Sequence, residues 1–412
     1  MGRPEDSYVK LPAIAHATRI GYEYVSIRGL EPGIDYDQDT NIFHDPFRVA
    51  LGRINRMDVS DSKAAFLIQQ IRAMLSADDL GRAFFRCLQT GIDGLRLIDF
   101  DDPANNTFQV VTELPCENGE DSFRPDITFL VNGLPLAFME AKRQNNREGI
   151  IAERDRMHAR FHNPVFRRFV NVTQLMLFSN DQEYDDEDRK PIQGSYYASS
   201  AYGDVKFNHF REQRSREAAA FVGPRDEDVE RLILKDNNLP ELWGTPEWES
   251  STEADTPANR IVTSLLSPDR FLFILRYGIC YVEKANKEGV KELQKHVMRY
   301  PQLFATLAVR DALDAGRRKG VIWHTQGSGK TALSFFLTRY LRDYYSELNR
   351  ASRFFFIVDR LSLATQAKEE FEARGAVVRL VESREAFSKA LKDPGDVTGI
   401  VGADQPPAIT IV

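Results

Sequence analysis

Three ionisable side chains, Asp126, Glu140 and Lys142, interrupt an otherwise apolar stretch, residues 125–144, which reads PDITFLVNGLPLAFMEAKRQ. Two carboxylates and the backbone carbonyl of Ala141 would form a hard oxygen site that suits Mg²⁺. Lys142 could then polarise or help deprotonate an attacking water, while the metal neutralises charge on a pentavalent phosphate. This set of groups therefore indicates phosphodiester hydrolysis. The competing interpretation is a cross-strand salt bridge from Lys142 to Glu140 or Asp126, which needs no function.

The pairing of the two strands decides whether these side chains can meet. Glu140 and Lys142 are two residues apart, so both leave the same face of a strand. A strict two-residue turn after residue 131 would place Asp126 opposite Met139, on the wrong face. A one-residue shift places Asp126 opposite Glu140. We therefore predict a bulge, a longer turn or a break at the start of the first strand.

A second stretch with chemical potential is WHTQGSGKT, residues 323–331, which follows a short apolar run and opens a predicted amphipathic helix. Glycines 327 and 329 would let backbone N–H groups surround phosphate oxygens at the helix N-terminus. Lys330 would reach the β- and γ-phosphates, and Thr331 would hold Mg²⁺. His324 occupies the first glycine position of the usual template. The predicted nucleotide-binding residues are Thr325, Gln326, Gly327, Ser328, Gly329, Lys330 and Thr331.

Upstream of this loop, Gln302 carries an amide that could read an adenine edge with a paired donor and acceptor. Taken alone, such a glutamine is more often an ordinary surface residue.

Composition excludes several classes of protein. With 412 residues, 42% of them hydrophobic, the chain can bury more than one core, at roughly 100–200 residues per domain. Three cysteines are too few for a disulfide framework, and no run of about 18 apolar residues occurs. The net charge of −7 means that any contact with DNA must be local. We expect a cytoplasmic protein without membrane contact.

The pattern of apolar residues predicts two α/β domains. Helices are predicted at residues 7–21, 62–77, 81–91 and 149–161, and strands at 107–114, 126–131, 134–142 and 168–180. Later strands, GVIWHT, RFFFIVD, AVVRLV and AITIV, alternate with helices and indicate a parallel sheet. The predicted division is a mixed-sheet domain at 1–236, a linker at 237–260 whose tryptophans dock on a neighbour, and a phosphate-loop domain at 261–412.

A nuclease-type triad ahead of a phosphate loop resembles the restriction (R) subunit of type I restriction–modification enzymes, over essentially all 412 residues. The resemblance implies a PD-(D/E)xK nuclease domain with catalytic Asp126, Glu140 and Lys142, then the first RecA-like lobe of a superfamily 2 helicase motor. WHTQGSGKT matches motif I of that family, VDRLSLATQ resembles motif Ia, and Gln302 matches the glutamine that reads adenine.

The family implies Mg²⁺ and ATP as cofactors, and double-stranded DNA with specificity and methyltransferase subunits as partners. It implies ATP-driven translocation and cleavage away from the recognition site. Relatives often carry Gln-x-x-x-Tyr on the helix after the triad, where this sequence has Arg154 and His158. The DExx box and the second motor lobe are not found, which indicates a fragment of a longer subunit. We expect residues 1–412 to bind ATP weakly without turning it over or translocating.

Two other functions remain open. One is a nucleotide-dependent DNA-binding or remodelling motor with a degenerate, non-cleaving nuclease-like domain. The other is a stand-alone repair nuclease–helicase or a type III-like subunit, although type III subunits place the nuclease after the motor. Glu5 could add another acid to the metal site, or could simply favour the dipole of the first helix.

Overall fold

The computed structural model describes residues 6–118, 121–143, 149–184, 193–285, 289, 291–381, 383–392 and 408–412. The chain divides into two compact units, Met1–Arg276 and Tyr277–Val412. Among the described residues, no helix combines the length and apolarity that crossing a membrane requires. Glu5 lies outside the described ranges.

The first unit contains eleven α-helices within the described ranges and one large sheet. The helices are α1 (Leu11–Arg19), α2 (His44–Asn55), α3 (Asp61–Leu75), α4 (Arg82–Thr90), α5 (Gly149–His162), α6 (Arg167–Val172), α7 (Ser215–Ala220), α8 (Glu227–Asp236), α9 (Pro246–Ser251), α10 (Pro257–Leu266) and α11 (Pro268–Phe273). Short 3₁₀ or π turns occur at Asp6–Lys10, Pro103–Asn105, Pro164–Phe166, Pro240–Leu242 and Ile274–Gly278. The strands are β1 (Glu23–Val25), β2 (Phe108–Thr112), β3 (Cys116–Asn118), β4 (Asp121–Phe123), β5 (Ile127–Val131), β6 (Leu134–Ala141), β7 (Leu175–Ser179), β8 (Ser195–Ala198) and β9 (Asn208–His209).

Seven of these strands form a mixed sheet in the order β1-β2-β5-β6-β7-β8-β9. The β1–β2 and β6–β7 pairs are parallel and the others are antiparallel. β6 is the fourth strand of seven, and all eight of its residues are buried. This burial explains its nearly continuous apolar sequence. The mixed sheet predicted for this part of the chain is confirmed.

One predicted strand, residues 168–180, is half wrong. Its first part forms α6, and only Leu175–Ser179 is β-strand. The helix is favoured by tertiary contacts: the amide of Asn171 donates to the carbonyls of Leu75 and Ala77 at 2.9 and 2.8 Å. The ring of Phe169 packs 4.6 Å from that of Phe123.

The predicted linker at residues 237–260 lies inside the first unit, whose limit falls after Arg276. Its polar, turn-like sequence forms the helix α9 and the start of α10, each with a threonine side chain as N-cap. Trp248 is 0% exposed and its indole N–H donates to Glu230 Oε2 at 3.1 Å. The docking of this tryptophan is confirmed, whereas the domain boundary lies further along the chain than predicted.

The second unit contains a β-hairpin, a three-stranded parallel sheet and four helices within the described ranges. Its elements are β10 (Ile279–Ala285), β11 (Lys291–Val297), α12 (Tyr300–Asp314), α13 (Lys330–Glu347), β12 (Phe354–Phe356), α14 (Leu361–Glu372), β13 (Val377–Leu380), α15 (Arg384–Lys392) and β14 (Ala408–Ile411). The sheet has the order β12-β14-β13 with both pairs parallel, as predicted.

The predicted strand GVIWHT, residues 320–325, is not a strand in the structure. Val321 and Trp323 are 88% and 91% exposed. A strand is stable only when its backbone groups pair with a neighbouring strand, and none of the described strands pairs with these residues. The apolar sequence alone therefore does not produce the element.

Candidate active site and nucleotide-binding loop

The β5–β6 hairpin contains both a tight turn and a bulge. Asn132 and Gly133 have φ of 54° and 74°, as a two-residue hairpin turn requires, and Val131 pairs with Leu134. The register then shifts by one residue after Phe129, so that Ile127 pairs with Met139. Continued by one residue, this register sets position 126 opposite position 140. The predicted bulge is confirmed, and it coexists with the strict turn.

The shift brings Asp126, Glu140 and Lys142 together. Asp126 Oδ2 accepts a hydrogen bond from the backbone N–H of Ala141 at 2.8 Å. Lys142 Nζ lies 3.6 Å from Glu140 Oε2 and 3.8 Å from Asp126 Oδ2. It also donates to the carbonyl of Ala141 at 2.7 Å, an oxygen that keeps a second lone pair. The backbone N–H of Lys142 donates to Ser179 at 2.8 Å, which fixes this end of β6 against β7.

A further acid, Glu153 on α5, belongs to the same cluster and was missed in the sequence. It is 1% exposed, and its Oε2 lies 3.3 Å from Lys142 Nζ, closer than either predicted carboxylate. Arg156 and Arg160 also contact it, at 3.1 and 3.5 Å. The signal was present: the buried residues of α5 are Gly149, Ile150, Glu153, Met157 and Phe161, a helical stripe in which the acid is the one charged member.

Electrostatics at this cluster are set by burial. Burial raises the pKa of the Glu140 carboxyl well above its usual range, and the charges of Asp126 and Glu153 raise it further, while Lys142 and Arg160 act in the opposite direction. Glu140 Oε1 is buried without a hydrogen-bond partner among the described residues. A divalent cation would supply the missing partner, so the predicted oxygen donors fit Mg²⁺. The described residues contain no group of three or more His, Cys, Asp or Glu side chains arranged to hold a metal.

The positions that depart from the family pattern lie on α5 and make other contacts. Arg154 pairs with its neighbour Asp155 at 3.0 Å. His158 lies 3.3 Å from the carbonyl of Val205 and 3.7 Å from Asp204.

In the second unit, the stretch Thr325–Thr331 forms a loop that leads into α13. Gly327 and Gly329 have φ of 78° and 80°, the left-handed conformation expected for glycines in a phosphate loop. Lys330 Nζ donates to the carbonyls of Thr325 and His324 at 2.9 and 3.2 Å. The side-chain oxygen of Ser328 is buried without a hydrogen-bond partner among the described residues.

Gln302, at the start of α12, contacts this loop directly. Its Nε2 donates to the carbonyl of Gly329 at 3.0 Å, and its Oε1 accepts from the backbone N–H of Arg299 at 2.9 Å. It is buried rather than an ordinary surface residue. One N–H and one acceptor lone pair of its amide remain for a ligand.

Two family models match the chain. Residues 3–185 match the type I restriction enzyme R protein N terminus, and residues 290–401 match the SWI2/SNF2 ATPase. The first match includes the Asp126, Glu140, Lys142 and Glu153 cluster, and the second includes the phosphate loop.

Curated relatives agree with the first match. A Methanocaldococcus jannaschii protein assigned as a type I restriction enzyme endonuclease subunit is 28% identical over 68% of this chain and 22% of its own length. Endonuclease subunits of type I restriction enzymes from Haemophilus influenzae and Staphylococcus aureus are 25% and 26% identical, over 60% and 69% of this chain and 20% and 24% of their own lengths. The chain spans about a fifth to a quarter of the length of these relatives.

Proposed function

Because the amino-terminal part of this chain, residues 3–185, belongs to the family of type I restriction enzyme R proteins, we propose that the chain carries the nuclease and the ATP-binding motor lobe of a type I restriction–modification system. Its first unit hydrolyses phosphodiesters of double-stranded DNA with Mg²⁺, as a PD-(D/E)xK nuclease domain. Its second unit binds ATP, as a RecA-like lobe of a DNA translocase.

One observation carries the nuclease proposal: the bulge in β5–β6 turns a hairpin with the wrong register into one that gathers two carboxylates and an amine. Asp126, Glu140 and the carbonyl of Ala141 would hold Mg²⁺. When bound, the metal offsets the negative charge that develops on the phosphate. The hydrogen bond from Ala141 N–H orients the Asp126 carboxylate, and Lys142 holds a positive charge beside the attacking water or the phosphate oxygen.

The ATP proposal is supported by the left-handed glycines of the loop and by the match to an ATPase family over residues 290–401. Backbone N–H groups around Gly327 and Ser328 would surround the phosphates, with Thr325 and Gln326 beside them. Lys330 would exchange its two carbonyl partners for phosphate oxygens, and Thr331 would reach the Mg²⁺ that accompanies ATP. Gln302 would contact the adenine.

The partners and the location follow from the names of the relatives rather than from this chain. We place the chain in the cytoplasm, with specificity and methyltransferase subunits that supply recognition of the DNA sequence. The net charge of −7 excludes a strong basic field over the whole chain, so the DNA contact is local to the site.

The test is nicking of supercoiled plasmid in Mg²⁺ or Mn²⁺ by the subunit assembled with its partners. Asp126→Ala and Lys142→Ala should each abolish nicking, whereas Lys63→Ala, at an exposed position of the same unit, should not change it. If DNA binding and ATP binding persist without any nicking, the chain is instead a nucleotide-dependent DNA-binding or remodelling motor with a non-cleaving nuclease-like domain.

A further inference from the structure

We propose that Glu153 is a positioning residue that draws the Lys142 amine away from Asp126 and Glu140, so that these two carboxylates stay available to a divalent cation. The inference rests on the nuclease function proposed above. It assigns to α5 a role in the metal site that does not involve binding the metal.

The distances around Lys142 carry the first step. Of the three carboxylates that its amine contacts, Glu153 is the nearest at 3.3 Å, followed by Glu140 at 3.6 Å and Asp126 at 3.8 Å. The amine also donates to the carbonyl of Ala141 at 2.7 Å. The position of the amine is therefore fixed by a backbone carbonyl and by an acid from another element.

The second step concerns charge. Asp126, Glu140 and Glu153 bring three negative charges, and Lys142, Arg156 and Arg160 bring three positive charges. A carboxylate that is 1% exposed is stable only when it is paired, and the two arginines supply that pairing from the same helix. The negative charge of Glu153 can therefore persist in the core and act on Lys142.

The third step is rigidity. Arg160 lies over the ring of Phe123, with its guanidinium carbon 4.5 Å from the ring centre. Met157 and Phe161, one turn and two turns beyond Glu153, are buried. The backbone of α5 and one arginine partner are thus both held in place, and Glu153 is a fixed acceptor.

The consequence follows from removing the acid. Without the charge of Glu153, the remaining carboxylates in contact with Lys142 are the two proposed metal ligands. The amine would move onto them and compete with the cation. Loss of Glu153 should therefore weaken metal binding, and removing Lys142 as well should restore it.

We would measure Mn²⁺ binding to the purified chain by isothermal titration calorimetry, without DNA or ATP. Glu153→Gln should weaken Mn²⁺ binding by about tenfold, the usual size of an outer-shell effect. Lys142→Met alone should not weaken it. The double variant should bind Mn²⁺ as Lys142→Met does. Arg156→Ala is the matched control, because Arg156 contacts Glu153 but is not a partner of the amine in these contacts, and it should leave Mn²⁺ affinity unchanged.

Glu153→Asp, which keeps the charge, provides a second variant if Glu153→Gln unfolds, and should retain most of the affinity. Mn²⁺ affinity that is unchanged in both Glu153 variants overturns the inference, as does a double variant as weak as Glu153→Gln alone, which would indicate a merely structural role. If Mn²⁺ binding is insensitive to Asp126→Ala, the proposed nuclease site itself fails, and the inference fails with it.

Discussion

The carboxylate of Asp126 is hydrogen-bonded to the backbone of Ala141, with 2.8 Å between Oδ2 and the amide nitrogen. The bond links the start of one strand of the hairpin to the end of the other. It orients a charged group that is only partly buried toward the Glu140 and Lys142 side of the sheet.

Asp126→Asn should separate this structural contact from the proposed chemistry. An asparagine oxygen can still accept the bond from Ala141, so the fold should persist, but the negative charge that attracts a cation is lost. A metal contributes several kcal/mol of charge stabilisation in the transition state, so plasmid nicking should fall by about 10²-fold or more. The midpoint of urea unfolding should change little. Asp155→Asn, on the exposed side of α5, is the control, and an equal loss of nicking in both variants would contradict the assignment.

Gly133→Ala should disturb the turn that sets the register. Gly133 has a φ of 74°, and a Cβ there would lie 2.7 Å from the carbonyl oxygen of Phe43. Gly94 has a φ of 77° with open space around it, so Gly94→Ala measures the cost of the left-handed backbone alone, about 1–2 kcal/mol. The clash should add about 1–3 kcal/mol at Gly133. Urea unfolding of both variants gives the difference, and equal free energies would show that the Phe43 contact relaxes without cost.

The hairpin register could be derived from the sequence because a buried sheet allows only one face for a set of side chains. The requirement that Asp126 share a face with Glu140 was enough to predict the bulge. Glu153 could not be derived in the same way. Its place depends on which side of α5 faces the strands, and that orientation is set by packing between elements far apart in the sequence.

The errors have a common cause. Residues 320–325 have the composition of a strand, but a strand also needs a partner, and the sequence of one segment contains no information about its neighbour. Residues 237–260 have the composition of a linker, but buried Trp248 and two threonine caps make them helical. In both cases, tertiary contacts overrode the local pattern.

Gly329→Ala should weaken nucleotide binding through Gln302. A Cβ at position 329 would lie 2.5 Å from Gln302 Nε2, whereas nothing lies within 4 Å of one at Gly327. Both glycines have positive φ, so both substitutions strain the loop, but only the change at position 329 displaces the glutamine. Titration with a fluorescent ATP analogue should show a larger loss of affinity for Gly329→Ala than for Gly327→Ala.

Removal of the glutamine provides the check on this explanation. In a Gln302→Ala background the clash is absent, so Gly329→Ala and Gly327→Ala should then have similar effects. Gly316→Ala, at an open position with a φ of 76° outside the loop, should leave nucleotide affinity unchanged. A difference between the two loop variants that survives Gln302→Ala would refute the contact as its cause.

His16 should make the first unit less stable in acid. Its Nε2 lies 2.6 Å from Thr263 Oγ1, and its Nδ1 is buried without a hydrogen-bond partner among the described residues. Burial, with a smaller effect of Arg19, lowers the pKa of His16 from 6.5 to about 3. The unfolded chain therefore takes up a proton near pH 6.5 that the folded chain refuses. The stabilisation is complete above pH 6.5, decreases as the pH falls, and is lost by about pH 3.

Between pH 7.5 and pH 5 this single group should remove about 2 kcal/mol from the free energy of unfolding. His16→Gln keeps a side chain that can bond to Thr263 but does not titrate, so its unfolding free energy should fall by about 2 kcal/mol less over the same interval. Urea unfolding at the two pH values gives both quantities. The exposed His44 serves as the control, because His44→Gln should leave the pH dependence of the parent unchanged. Parallel curves for the parent and His16→Gln would mean that His16 is protonated in the folded chain.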